Sequence, residues 1–435
     1  MKQILFLISM LITLGVFAWT ASKIKSYFNL LKPAFPIKDI SERIKLTLNV
    51  AFGQSKILRR PVIGFIHALV WWGFIVILFG SIEMIIDGLF GTERVLSIFG
   101  YFYNFIIAAG DIFGLVIAVA ISIFLIRRNI IKVKRFEGIE MKKISHQDAN
   151  IALLIIFFLM ISLLGMNTFY QVKVIQQGGE MLGIFPISHF LVSTFIGLSE
   201  HTVSILHEAN WWTHILLIFL FANILSYSKH FHVFMSVPNV FLSRLKPLGY
   251  IDNMPNITQE VKLMMNPNAI ISEVDNNSME RFGMKDVEDG NWKNYLDSLA
   301  CTQCGRCTSV CPANITGKLL SPRKLMIDFR ARMKEKAPKL VKDKNFDDNK
   351  SYLGDYISEE EIWACTLCNA CAQECPINMN HPNLIVEMRR YLVMEQAMAP
   401  SGLNAVFQNI ENNGAPWQFA QADRLNWAKD IYIKQ

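Results

Sequence analysis

Cys301-Thr302-Gln303-Cys304-Gly305-Arg306-Cys307-Thr308-Ser309-Val310-Cys311-Pro312 and Cys365-Thr366-Leu367-Cys368-Asn369-Ala370-Cys371-Ala372-Gln373-Glu374-Cys375-Pro376 repeat one spacing. All 8 cysteines of the chain lie in these two runs. The spacing supplies four thiolates to each of two iron–sulfur clusters, with the fourth cysteine of each run crossing to the other cluster. It predicts one [4Fe–4S] cluster on Cys301, Cys304, Cys307 and Cys375, and a second on Cys365, Cys368, Cys371 and Cys311. Zinc sites need two cysteine pairs held apart, not four cysteines within one short run. A disulfide framework suits a small secreted chain, not one of 435 residues.

Composition sets the rest of the frame. Hydrophobic residues make up 52% and charged residues 18%, and mean hydropathy is +0.29. Such values point to a membrane part beside a polar one. The net charge of +7 does not imply nucleic acid, because its distribution follows membrane topology. Cluster thiolates require a reducing compartment, which places the C-terminal half in the cytoplasm.

Five apolar segments are expected to span. They run over Ile4–Trp19 (read as an uncleaved first span, not a signal peptide), Val62 to about Ile82, Tyr101 to about Ile126, Ile151–Phe169, and Trp211 to about Phe234. All but the first are long enough to cross roughly 30 Å of hydrocarbon unaided. Lysine and arginine crowd the connections between segments one and two and between three and four, while the opposite connections hold only Arg94 and Lys173. The positive-inside rule then puts the N-terminus outside and everything after segment five in the cytoplasm. Met181–Leu198 reads as an interfacial helix. Residues 247–290 read as a polar linker with a short helix near Thr258–Met265, and Lys334–Lys350 as a charged, solvated insert. Helices are expected from Pro322 to about Met333 and from Pro382 to about Met398, and no alternating strand pattern occurs.

Ionisable residues inside spans are functional candidates. His67 lies in segment two near its cytoplasmic end, and His214 and His232 lie in segment five. Taken as one helix, the 18 residues between the latter two make about five whole turns, so both would face one way, about 27 Å apart. That is the geometry for axial ligation of stacked b-type haems. His67 and His232 form the best pair. His214 lacks a histidine opposite it in segment two, with His189 or His201 as alternative partners, so one haem or two stays open. His230 is expected to point to the opposite side, His207 to be interfacial, and His146 and His381 to be surface groups. Asp111 is read as the only carboxylate well inside a span and as a candidate for relaying a proton to or from a quinone.

These residues carry a resemblance. The five spans with His67, His214 and His232, and the run Ser228-Lys229-His230-Phe231-His232-Val233 before Pro238-Asn239, resemble the cytochrome b subunits of respiratory nitrate reductase and membrane-bound heterodisulfide reductase. The two cysteine runs, Trp363, and Asn409-Ile410-Glu411-Asn412-Asn413-Gly414-Ala415-Pro416-Trp417 resemble the iron–sulfur subunit of heterodisulfide reductase and related α-helical ferredoxins. The resemblance implies an all-α architecture. Residues 1–240 would form a five-helix transmembrane cytochrome b-like domain, 241–290 a linker, 291–400 a dicluster ferredoxin domain, and 401–435 a C-terminal tail. It implies a multi-pass protein of the inner membrane that passes electrons between a cytoplasmic partner and menaquinone or another quinone. The partner would be a separate paired-cysteine iron–sulfur subunit, and an electron-transfer flavoprotein could feed it. The runner-up is a haem-free, membrane-tethered ferredoxin serving as a docking subunit.

Overall fold

The computed structural model describes residues 1–266 and 281–432. The first part of the chain comprises α1 (Lys2–Phe28), α2 (Ile40–Thr47), α3 (Pro61–Phe90), α4 (Tyr101–Asn129), α5 (Lys143–Gln177), α6 (His189–Phe195) and α7 (Glu200–Leu225). Of these α1, α3, α4, α5 and α7 are long and apolar enough to cross a membrane. Then come α8 (His232–Phe241), α9 (Pro255–Met265), α10 (Trp292–Ala300), α11 (Arg306–Ser309), α12 (Pro312–Ile315), α13 (Pro322–Leu340), α14 (Glu359–Trp363), α15 (Ala370–Glu374), α16 (His381–Arg390), α17 (Ser401–Asn413) and α18 (Lys429–Tyr432). Among the described residues there is no strand beyond two isolated bridges. The fold is all-α.

Local chemistry explains where the long helices begin and end. Pro61 opens α3 at a position where a missing N–H costs nothing. Gly91 closes it in the left-handed region, at φ +72°, and a Cβ there would meet the Gln3 side chain at 2.2 Å. The helix therefore runs eight residues past the expected end at Ile82 and takes Glu83 and Asp87 with it. Asp111 is not the only carboxylate in these helices. In α7, the Ser199 hydroxyl caps the first turn by accepting from the Thr202 N–H at 3.3 Å.

Segment five is not one helix. α7 stops at Leu225, and the Ser228 hydroxyl accepts from the His230 N–H at 2.9 Å to cap a new 3-10 turn, Lys229–Phe231, before α8. Arg330 of α13 fixes this break by donating to the Ser226 and Ser228 carbonyls. His214 and His232 therefore do not share a helix, and the five-turn arithmetic does not apply. The expected interfacial helix over Met181–Leu198 is shorter, confined to α6.

α5 packs along both α4 and α7, α3 packs along α4, and α1 lies across α3 and α7. Small residues permit the close approaches, as is usual between membrane helices. A Cβ on Gly88 would sit 2.7 Å from the Phe6 ring, and one on Gly73 2.6 Å from the Phe113 ring. Outward faces carry exposed Ile4, Leu5, Ile8, Leu11 and Ile12 on α1 and Phe65, Leu78 and Ile82 on α3.

The second part has its own core, built on Met284, Val287, Leu325, Phe329, Tyr352 and Leu384. Residues 284–287, within the stretch read as linker, belong to this core. So does part of the stretch read as a solvated insert: α13 continues to Leu340, and Lys336 is 4% exposed, bonded to Asp286 and Glu288. The domain is fastened to one end of the bundle, here called the near end. Buried Arg323 pairs with Glu140 at 2.7 Å and donates to the Arg135 and Glu137 carbonyls. Arg306 donates to the Lys56 carbonyl at 3.1 Å. Past the end of α1, Lys32 exchanges backbone bonds with Gly290 and Trp292, both at 3.0 Å.

Candidate functional site

The two cysteine runs wind alike. Gln303 and Leu367, each just before the second cysteine, are left-handed at φ +58° and +54°, and Gly305 and Asn369, just after it, at +73° and +61°. Such alternation turns backbone N–H groups inward; the Leu367 N–H approaches Cys365 Sγ at 3.4 Å. Pro312 then opens α12 at its first turn.

The thiols fall into two groups. Cys301 has Cys304 and Cys375 as neighbours, and Cys307 has Cys304, Cys301 and Cys375. Cys371 has Cys365, Cys311 and Cys368. The fourth cysteine of each run thus stands with the first three of the other. The groups lie within electrostatic reach of each other at Cys307 and Cys371. Burial pushes Cys301 up to about 12, against a backbone hydrogen bond from Gln303 and with help from the Cys304 and Cys375 thiols; burial pushes Cys371 up to about 12 as well. Unliganded, these groups keep their protons, and binding metal must displace them. Among the described residues no three His, Cys, Asp or Glu side chains converge closely enough for a single metal ion. Four thiols in each group match the ligand count of a [4Fe–4S] cube, whose ligands bind at separate corners.

Three histidines meet at the near end. His67 is two turns into α3, His230 lies on the 3-10 turn and His232 opens α8. The His230 and His232 rings are 5.8 Å apart. Burial holds both down at about 3, with His67 among the charges acting on each. The break after Leu225 has swung His230 to the same side as His232, contrary to the single-helix expectation. His230 Nδ1 has Ser228 Oγ at 3.3 Å, whereas Nδ1 of His67 and of His232 is buried without a partner.

His214 lies deeper in the bundle, 2% exposed. Its Nδ1 is 2.9 Å from the Leu159 carbonyl and 3.0 Å from Ser162 Oγ. Donating to that carbonyl leaves Nε2 as the unprotonated nitrogen, the orientation a ligand histidine needs. The residue borders a cavity of about 260 Å³ that Ile77, Gly80, Ser81 and Met84 of α3 also line, none of them a nitrogen donor. His189 instead bonds Gln171 at 3.2 Å, and neither it nor His201 reaches the cavity. His207, read as interfacial, does line it. His381, read as a surface group, is 1% exposed.

At the far end Asp111 is engaged on every side. It accepts from the Ile187 N–H at 2.7 Å, the Ser188 N–H at 2.9 Å, Asn167 Nδ2 at 3.1 Å, and the Ser188 hydroxyl. Glu83, one residue past the expected end of segment two and so absent from the sequence candidates, accepts from Tyr103 at 3.0 Å and from the Leu96 N–H at 3.0 Å. Arg94 donates to Tyr103 and to Asn167 and lies 4.0 Å over the Tyr170 ring, so one network joins the two carboxylates.

Residues 300–379 match the family model described as "4Fe-4S dicluster domain". The chain is 28% identical to the "Probable iron-sulfur-binding oxidoreductase FadF" of Bacillus subtilis, over 98% of this chain and 60% of that protein. It is also 28% identical to the "EtfAB:quinone oxidoreductase" of Syntrophomonas wolfei, over 99% of this chain and 60% of that protein. A component of the ferredoxin/F(420)H(2)-dependent CoB-CoM heterodisulfide reductase of Methanosarcina acetivorans is 34% identical over 24% of this chain and 52% of its own. This bears out the likeness to heterodisulfide reductase drawn from the cysteine runs. The chain spans 60% of the length of the first two relatives. No solved structure matches it. The chain thus joins a 4Fe-4S dicluster domain to five helices apolar enough to cross a membrane, and the relatives it matches along nearly its whole length are named as oxidoreductases, one of them iron–sulfur-binding.

Proposed function

We propose that this chain is a membrane-embedded electron-transfer subunit linking a soluble redox partner to a quinone, through two [4Fe–4S] clusters and a haem b. The observation that carries this reading is the docking of the first thiol group on the near end. Arg306, between Cys304 and Cys307, bonds the carbonyls just before α3, and two turns along that helix stands His67. Relatives that include an "EtfAB:quinone oxidoreductase" support the same direction.

When bound, the clusters and haem supply one-electron carriers; the protein supplies ligands, spacing and burial. Two crossed cysteine sets would hold the clusters. His67 with His232 would hold the haem, since the two lie within electrostatic reach of each other and the Nδ1 of each is buried and unbonded. The cavity beside His214 would take the quinone head group, with Gly80 and Gly110 keeping space open on two helices. Glu83 at its far-end rim would take up and release protons, with Tyr103 and Arg94 holding its carboxylate in place, while Asp111, the candidate relay by sequence, holds the 187–188 backbone. The partner would be a soluble carrier of the electron-transfer-flavoprotein class or a paired-cysteine iron–sulfur subunit, and both would meet the cluster domain on the cytoplasmic side of the inner membrane.

The test is a reduced-minus-oxidised optical spectrum with pyridine haemochrome quantitation on wild type, His67→Ala and His214→Ala. One b-type haem per chain is expected, absent in His67→Ala and retained in His214→Ala. A wild-type protein with full iron and sulfide but no haem would reduce it to a membrane-tethered ferredoxin.

A further inference from the structure

We infer that the two cluster sites are unequal and ordered. The Cys311/Cys365/Cys368/Cys371 site is the port at the protein surface, and the Cys301/Cys304/Cys307/Cys375 site is the inner relay, tuned by Arg306 and Lys56. The inference rests on the electron-transfer reading above and adds to it an order of carriers and the residues that set it.

Exposure differs first. Cys368 is the one exposed cysteine of the eight, and the neighbouring Thr366 is exposed as well. Loop 365–369 rests on its own domain: Arg389 donates to the Cys365 and Ile362 carbonyls, both at 2.6 Å. Loop 301–306 faces the bundle instead. A Cβ on Gly305 would stand 2.2 Å from the Arg135 carbonyl oxygen, Gln303 bonds Ser145, and Arg306 reaches Lys56 and Ile57. An electron entering or leaving through solvent meets the Cys368 edge. One passing to or from the bundle meets the Cys304 edge, and Cys307, within electrostatic reach of Cys371, joins the two.

The electrostatic setting differs as well. Arg306 is 6% exposed and lies between two ligands of the inner site. Lys56 places its ammonium 3.2 Å from the carbonyl of Cys375, the crossing ligand. Reduction adds one electron to a cluster whose thiolates already leave it negative. Cations held at short range in a water-poor site favour the reduced state, offsetting the cost of burial. At the port site Arg389 bonds the Cys365 carbonyl, and the Cys368 edge is open to solvent.

The experiment is an EPR-monitored redox titration of the full-length protein in detergent, with and without a soluble dysprosium chelate as relaxation agent. Variants are Arg306→Gln, Arg306→Lys, Lys56→Met and Arg389→Gln. The chelate should speed relaxation of one cluster only. Arg306→Gln should lower the midpoint of the other by about tenfold in its reduction equilibrium, ~59 mV for one electron. Arg306→Lys should restore most of it, and Arg389→Gln should move only the chelate-sensitive cluster. If Arg306→Gln fails to hold clusters, Lys56→Met carries the test in the same direction. A shift of the chelate-sensitive cluster by Arg306→Gln, or equal relaxation of both, overturns the order while leaving the electron-transfer reading intact. Wild type lacking two cluster signals overturns both.

Discussion

The membrane bundle and the cluster domain bury polar groups by opposite rules. In the bundle they are few: Asp111, Asn167, Arg94, Tyr103 and Glu83 satisfy one another at the far end, His214 bonds Ser162 and the Leu159 carbonyl deeper in, and glycine and aromatic contacts close much of the rest. In the domain, full cations lie within the core. Arg332, 0% exposed at its side chain, is bonded to Asp286, Asp348 and the Lys350 carbonyl, and Lys336 shares Asp286. The difference teaches where stability resides. A bundle facing lipid needs only complementary shapes and satisfied helix ends. The domain that must hold eight thiols in place adds buried ion pairs to its apolar core and is pinned by charge as well.

The largest effect should follow from removing one of those pins. Arg332→Met should cost about 3–5 kcal/mol, since it breaks a buried pair with Asp286, leaving that carboxylate to Lys336 alone among side chains, and takes the guanidinium from Asp348, and denaturant unfolding followed at the cluster absorbance will show it. A loss under about 1 kcal/mol, the scale of an exposed pair, would mean the domain does not depend on buried charge.

The domain also holds an exception to that rule, a buried ring. His381 is buried with neither ring nitrogen bonded, and burial holds it down at about 4, against an ordinary 6.5. The unfolded chain therefore binds more protons between those values, so stability is complete above pH 6.5 and falls as pH drops toward 4. The loss is on the order of 2–3 kcal/mol by the lower end of that window. His381→Phe should flatten that part of the stability–pH curve, and an unchanged slope would show that the ring finds a partner.

The smallest effect is expected in the bundle. Asp111→Ala should cost about 2 kcal/mol through its unpaired donors, read as a lower melting temperature in detergent and faster proteolysis near 178–188. Should Asp111→Asn abolish quinone-linked turnover with an unchanged melting temperature, its role is chemical and not structural.

The cysteine runs were legible because ligand spacing is a local property, and the helical spans because their apolar length is one too. What escaped was tertiary. The stop after Leu225 depends on Ser228 as a cap and on Arg330, more than a hundred residues away, so hydropathy passes over it. That one break also moves His230 beside His232. Glu83 escaped because apolar character fades before the helix ends at Gly91. The buried fates of Lys336 and Arg332 were hidden by their neighbours, since a charge run reads the same whether its partners are water or Asp286.

The backbone exchange between Lys32 and the pair Gly290 and Trp292 has a consequence for biogenesis. A segment leaving the ribosome early must wait for one made more than two hundred residues later, so this clasp closes only after every span has been threaded. Docking of the cluster domain therefore belongs to the last stage of maturation, and an arrested chain would present its cysteine runs without the contacts that Arg306 and Arg323 make to Lys56, Arg135 and Glu140.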